Sequence, residues 1–319
     1  MLYSFVKILA RLGLPLYCRH IEINKRELLK HKGPLILACN HPNSFLDAII
    51  LCTLFDATIY SLARGDAFKN KTAAQFLRLF KMFPVYRVSE GVENLEENYS
   101  TFKLCKNLFK KKGIVLIFSE GLCINEWHLR PLKKGTARLA ISSWNDGIDV
   151  EVLPVAINYS SFSRFGKNLK LSFGDIITKE SVNYKNTDGN AIRQFNEILN
   201  QQLSKYVYEI DGTDKATQQK LFYVKQSAVK KLILFAPAAI GYLLHAPLYY
   251  LLKWLGDKLI KEDGHDDSKI VAFLFLFYPL LLIVLSLPLL FFTGCWYWMG
   301  LLLLLPFTAW AFVQLKPQL

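Results

Sequence analysis

Residues 34–55 read "PLILACNHPNSFLDAIILCTLF". "PLILAC" has the length and apolar run of a buried strand, and residues 44–55 place apolar side chains at helical spacing. Between them "NHPN" is a polar, turn-forming link. Strand, short loop and helix in that order form the unit of an α/β sheet. In such sheets the carboxyl ends of the strands are where ligands bind. His41 stands in the loop and Asp47 near the start of the helix. A neutral imidazole there can take a proton from a hydroxyl while a carboxylate holds its other ring nitrogen. Read alone, the same eight residues are equally compatible with an ordinary loop.

The alternation continues on both sides. "ATIYSLA" (57–63), "GIVLIF" (113–118), "EVLPVAI" (151–157) and "LKLSF" (169–173) are predicted strands. Residues 70–82, 92–112 and 134–144 have helical periodicity, and 189–210 forms one more amphipathic helix. Strands alternating with helices predict an α/β domain with helices packed on its sheet, over residues 26–220. Residues 1–25 form a separate N-terminal segment. Within it Leu2, Phe5, Val6, Leu9 and Leu12 follow a helical rhythm, with Lys7 and Arg11 one turn apart and Gly13 and Pro15 as terminators. That pattern suits an amphipathic helix at a membrane interface, and equally a packed terminal helix.

Residues 221–319 differ in kind. Residues 270–292 are uncharged, long enough to cross a bilayer, which takes roughly 20 residues. A second uncharged stretch fills about 296–315, and Trp296, Tyr297 and Trp298 suit an interfacial aromatic belt. A transmembrane helical hairpin is therefore expected, with its lysine-flanked ends and the catalytic domain on the cytoplasmic side of an inner membrane. Residues 232–256 are apolar but hold Pro237, Pro247 and His245 with lysines at both ends, and are expected to be re-entrant or interfacial.

The formal net charge is +13. From Leu232 onward five lysines meet five acids, so the whole excess lies in residues 1–231. A basic domain joined to an apolar tail fits an anionic membrane surface. No zinc-finger spacing or aromatic RNA-binding motif is present, so no nucleic-acid partner is expected. Six cysteines without paired spacing fit a reducing compartment, and no His, Cys and carboxylate cluster has metal-ligand spacing. G-x-S-x-G is absent, so a base at His41 would act directly on a substrate alcohol.

Further blocks follow in order: "ARGDAF" (63–68), "FPVYR" (83–87), "FSEG" (118–121), "LKKG" (132–135) and "VLPVAINY" (152–159). With "NHPNSFLD" (40–47) they resemble the glycerolipid acyltransferase family of glycerol-3-phosphate and lysophosphatidate acyltransferases, over roughly 30–175. The resemblance implies a mixed sheet with flanking helices, His41 as catalytic base and Asp47 as its partner. It implies Arg87 on the acceptor's phosphate, Glu120 and Gly121 near the glycerol moiety, and Pro154 on the acyl-donor side. Two features depart from the family. Five residues separate His41 from Asp47 where most members, one branch excepted, have four. Leu122 and Cys123 replace the usual Thr-Arg, which leaves Arg130 and Lys133 as candidate phosphate ligands. Arg64 and Asp66 read as an ion pair.

The resemblance implies a membrane-bound O-acyltransferase of phospholipid biosynthesis. Its acceptor would be glycerol-3-phosphate or 1-acylglycerol-3-phosphate, and its donor an acyl thioester on coenzyme A or acyl carrier protein. No further cofactor is implied, and membrane lipid is the expected surroundings. The altered third block keeps another lyso-lipid, such as a lyso-aminolipid, open as acceptor. A non-catalytic membrane lipid-binding protein is the rival from outside enzymology.

Overall fold

The computed structural model describes residues 2–86, 97–185, 188–259 and 266–318. Seven strands form one sheet: β1 (Cys18–Ile23), β2 (Leu35–Cys39), β3 (Ile59–Arg64), β4 (Met82–Val85), β5 (Ile114–Phe118), β6 (Glu151–Tyr159) and β7 (Lys167–Phe173), in the order β1-β7-β6-β2-β5-β3-β4. All neighbours are parallel except β6 and β7, so the sheet is mixed. Helices α2 (Phe45–Leu54), α3 (Lys71–Leu79), α4 (Glu97–Phe109), α5 (Gly135–Asn145) and α6 (Asp188–Ser204) fall where the periodicity predicts them.

The central strand is buried along its whole length because both sheet faces are covered. Ile36 and Ala38 of β2 point into a cluster with Phe109 of α4, Trp144 of α5 and Phe195 of α6. Leu35, Leu37 and Cys39 point the other way, toward Leu46, Ile50 and Leu51 of α2. Leu14 and Tyr17 of α1 (Leu2–Tyr17) complete that second layer, together with Ile270.

Several boundaries differ from the sequence reading: α3 ends at Leu79, with Met82 already in β4, and α6 ends at Ser204, short of the predicted 210. Helix α1 does not stop at Gly13 but runs through Pro15 to Tyr17. A proline this near a helix end forgoes one backbone bond, and α1 is held by packing. Its basic side chains turn inward: Arg11 Nε donates to the Thr53 carbonyl at 2.8 Å, and Lys7 Nζ to that of Ala57 at 2.9 Å. The Thr53 carbonyl lies at the carboxyl end of α2, where cations are favoured, and Ala57 follows in the link to β3. Phe5, Ile8 and Leu12 are left on the outer face. The chain then enters β1, so residues 18–23 belong to the sheet and not to an N-terminal segment.

Past the short helix α7 (Lys215–Phe222), three helices are long and apolar enough to cross a membrane by length and composition: 228–259, 267–293 and 296–315. Residues 232–256, expected to be re-entrant or interfacial, lie in one continuous helix, α8 (Ala228–Leu259). Each proline removes a single donor and leaves the rest of the helical ladder intact. The expected hairpin is α9 (Asp266–Thr293) and α10 (Leu301–Leu315). Helix α8 runs from the foot of α10 to the foot of α9. Lys230 Nζ donates to Gln314 Oε1 at 2.7 Å, His245 Nε2 is 3.1 Å from the Tyr278 hydroxyl, and Gly256 lies against Lys269 and Phe273. Gly241 is obligatory in this packing, since a Cβ there would lie 2.1 Å from the Thr308 carbonyl oxygen.

One buried side chain sets where the His41 loop leaves the sheet. Asn40 Oδ1 accepts the Ile157 N–H at 2.8 Å and its Nδ2 donates to the Ile157 carbonyl at 3.1 Å, extending the ladder from β2 to β6. Asn40→Ala leaves both backbone groups buried and unmatched, and should cost about 2–4 kcal/mol of stability. Denaturant unfolding of the purified protein checks this; a loss below about 1 kcal/mol would show that the loop re-pairs without it.

Candidate active site

Beyond β2 the chain turns through His41–Ser44 into α2. His41 Nδ1 lies 2.9 Å from Asp47 Oδ2. Asp47 has no solvent exposure, and a carboxylate there must have its charge met by hydrogen bonds. It does: the Asn43 N–H donates to Oδ2 at 2.8 Å and the Tyr159 hydroxyl to Oδ1 at 2.7 Å. Burial, and next the Asp47 charge, push the Tyr159 hydroxyl well above its ordinary range, so it stays a donor.

The opposite side of the imidazole is open. Its ring stacks on Phe118 with centroids 3.7 Å apart, and the side chain keeps 18% exposure. The described residues offer Nε2 no hydrogen-bond partner. With an Asp at Nδ1, the tautomer carrying its proton on Nδ1 is favoured and Nε2 is left as the acceptor. Phe45, at the start of α2, is exposed.

Glu120 fixes the loop from the other side. One carboxylate oxygen accepts the His41 N–H at 2.9 Å and the other accepts the Arg130 N–H at 3.0 Å. Burial raises its carboxyl above the ordinary 4.5, opposed first by the Arg130 N–H and then by that of His41. Gly121 has φ +66°, and a Cβ there would meet Lys133 Cγ at 3.0 Å. The turn requires glycine on both counts.

The remaining expectations divide. Lys133 is exposed beside Gly121, with its N–H donating to the Ser119 carbonyl at 2.7 Å. The Arg130 side chain is engaged by Glu126, Nε to Oε1 at 2.5 Å, so part of its charge is already answered. Pro154 lies inside the sheet opposite Ala38 and touches Gly174; the structure does not bring it to the dyad. Arg64 pairs with Asp66 as the sequence suggests. Arg87 lies outside the described residues. Among the described residues no group of three or more His, Cys, Asp or Glu could hold a metal ion.

Several contributors went unassigned in the sequence. Tyr159 is the last residue of the block "VLPVAINY", and its bond to Asp47 joins positions 112 apart in the chain. Cys123 accepts the Ser44 N–H at 2.9 Å, with its thiol pushed up to about 12 by burial. It holds Ser44 at φ 51°, a strained value for a residue other than glycine. The Cys123 thiol is therefore a brace for the loop.

The acyltransferase family's sequence profile matches residues 20–158. A 1-acyl-sn-glycerol-3-phosphate acyltransferase of Bacillus subtilis (strain 168) is 29% identical over 121 residues, covering 38% of this chain and 56% of that protein. The chain thus aligns with little more than half of that curated relative's length. The crystal structure of a 1-acyl-sn-glycerophosphate acyltransferase from Thermotoga maritima overlaps 70% of this chain and 81% of its own, at a TM-score of 0.48 and 14% identity.

The raised Glu120 carboxyl predicts a pH dependence. A raised acid binds its proton more tightly when folded, so its contribution to stability is complete below pH 4.5 and is lost as pH rises through the raised value. Glu120→Gln does not titrate there. Its melting temperature minus that of the wild type should therefore climb as pH rises above 4.5. A flat difference, read by thermal unfolding in detergent, would contradict the burial argument.

Proposed function

We propose that the protein, whose residues 20–158 match the acyltransferase family's profile, is a membrane-associated O-acyltransferase acting on a phosphorylated glycerol lipid precursor. The observation that carries this reading is the dyad, with the Nδ1 side of His41 fixed by a fully buried Asp47 and the Nε2 side open. No serine or cysteine nucleophile in an elbow accompanies it. In this mechanism Nε2 takes the proton of the acceptor hydroxyl as that oxygen attacks the acyl thioester carbonyl. The tetrahedral intermediate then collapses, the carbon–sulfur bond breaks, and the leaving thiolate receives the proton from the imidazolium. Asp47 stabilises the imidazolium between the two steps. The amino end of α2, with its positive dipole end beside the dyad, favours the developing oxyanion.

The acceptor proposed first is 1-acylglycerol-3-phosphate, the substrate in the B. subtilis relative's name, with glycerol-3-phosphate second. Lys133 and Arg130 are the described cations on the Glu120 side, and Arg87 is the further phosphate ligand the family resemblance implies. One observation keeps a lyso-aminolipid acceptor in view: Cys123 is spent on the loop, and Arg130 is tied to Glu126. An anionic headgroup thus meets less free positive charge here than an arginine at position 123 would give.

The site is set for a membrane surface. Phe5, Leu12 and Phe45, and Leu232, Phe235 and Leu251 on α8, present large exposed apolar side chains. In the proposed arrangement α9 and α10 anchor the protein, α8 lies across their feet, and the basic domain faces anionic lipid on the cytoplasmic side. A product with two acyl chains would then leave sideways into the bilayer.

Acyl transfer by detergent-purified protein, read by product mass, tests the reading. The donor is acyl-coenzyme A, and the two phosphorylated acceptors compete. We expect diacylated phosphate product, with His41→Ala and Asp47→Asn each lowering kcat by about 10²–10⁴-fold. A wild-type rate retained by His41→Ala would place the base elsewhere, and no product from the wild type with either acceptor or donor would point to lipid binding without catalysis. Transfer from acyl carrier protein only, or to an amino-acid lyso-lipid only, would redirect the assignment of donor or acceptor.

A further inference from the structure

The dyad is one end of a buried polar chain that leads into the root of α9. Asp267 has no solvent exposure, although it stands at the start of that helix. Its Oδ1 accepts the Tyr17 hydroxyl of α1 at 2.5 Å, and its Oδ2 accepts Asn43 Nδ2, from the catalytic loop, at 2.7 Å. The ammonium of Lys167, on β7 and buried as completely, is ion-paired with the same Oδ2. Lys167 Nζ also lies 5.4 Å over the ring of Tyr159, whose hydroxyl holds Asp47. Two short routes therefore join Asp267 to Asp47. One passes through Asn43, whose amide side chain meets Asp267 and whose backbone N–H meets Asp47. The other passes through Lys167 and Tyr159.

Burying an ion pair is a poor way to gain stability, since desolvation of both charges offsets their attraction and apolar pairs of similar volume often do as well. What a fully bonded buried pair does well is fix directions. We propose that Asp267 and Lys167 are positioning residues for the acyl-transfer reaction: acting through Asn43 and Tyr159, they hold the Asp47 carboxylate, and with it the His41 ring, in reacting geometry. Docking of α9 is then a condition of an assembled active site. This inference rests on the acyl-transfer reading given above. Displacement of a catalytic group by about 1 Å lowers rates by about 10²-fold, so a clamp of this kind reads out in kcat.

The test compares the wild type, Asn43→Ala, the pair Lys167→Met with Asp267→Leu, and the three substitutions together, all as full-length protein in detergent. Asn43→Ala leaves the ion pair intact, and the double substitution removes both charges at once, so neither strands a buried charge. We expect the single and the double variant each to lower kcat by about 10–100-fold, with both KM values within about threefold and melting temperatures within a few degrees of the wild type. The triple variant should be no slower than the slower of the two, since removing Asp267 and Lys167 already severs both routes. Lys167→Met with Asp267→Asn, which restores an acceptor for Asn43, should recover most of the loss. Wild-type kcat in the double variant, multiplying losses in the triple, or a change confined to KM would overturn the proposal.

A second readout is independent of acyl transfer. The proton shared between His41 and Asp47 should give a far-downfield nuclear magnetic resonance signal, assigned by its absence in His41→Ala. It should vanish from the double variant. Its persistence there would overturn the clamp even if the wild type acylates nothing, whereas its loss beside an inactive wild type would refute only the acyl-transfer reading.

Discussion

Everything near the candidate site follows from one constraint: Asp47 is a carboxylate with no contact with solvent. A charge in that position persists only when its oxygens are met, and the loop's shape is the set of positions that meet them. His41 must turn Nδ1 inward, Asn43 must aim its N–H back along the loop, and Tyr159 must reach across from β6. The strained φ of Ser44 and its bond to Cys123 are the local consequence of forcing α2 to start so close to His41.

The same constraint accounts for the parts of the sheet that surround the loop. Asn40 ties the end of β2 to β6, which brings Tyr159 within reach of Asp47. Glu120 ties the turn after β5 to the His41 backbone. Three adjacent strand ends thus converge on one loop, and the imidazole is left with its ring against Phe118 and its far nitrogen open. The chemistry asked of His41 is supplied by that asymmetry.

The sequence showed the interior of this arrangement better than its margins. "PLILAC" and "GIVLIF" are unbroken apolar runs because both faces of the central strands are covered. β1 carries Arg19, His20 and Glu22 and pairs on one side only, and β4 is four residues with a proline inside, so neither has the pattern of a buried strand. The dyad was legible because both members lie within one loop and helix start. Tyr159, Lys167 and Asp267 were not, because they join Asp47 or one another across 100 residues or more, and no local pattern encodes such partners. The prolines of α8 do not interrupt it: a helix already long and apolar keeps its course past two lost hydrogen bonds.

The outer edge of β1 has a consequence in time. Arg19 donates to the carbonyls of Val313 and Lys316, while Gln314 Nε2 donates to the Arg19 carbonyl, and Gln318 joins Asn168 and Val224. These partners are made nearly 300 residues after Arg19. β1 becomes an edge once β7 is made, and at about 5–20 residues per second of synthesis the segment that covers it follows on the order of ten seconds later. During that interval the chain has a nearly complete sheet with one side unprotected, a form prone to pair with a neighbouring chain. Translation speed through α9 and α10 therefore sets how long the nascent protein is exposed to self-association.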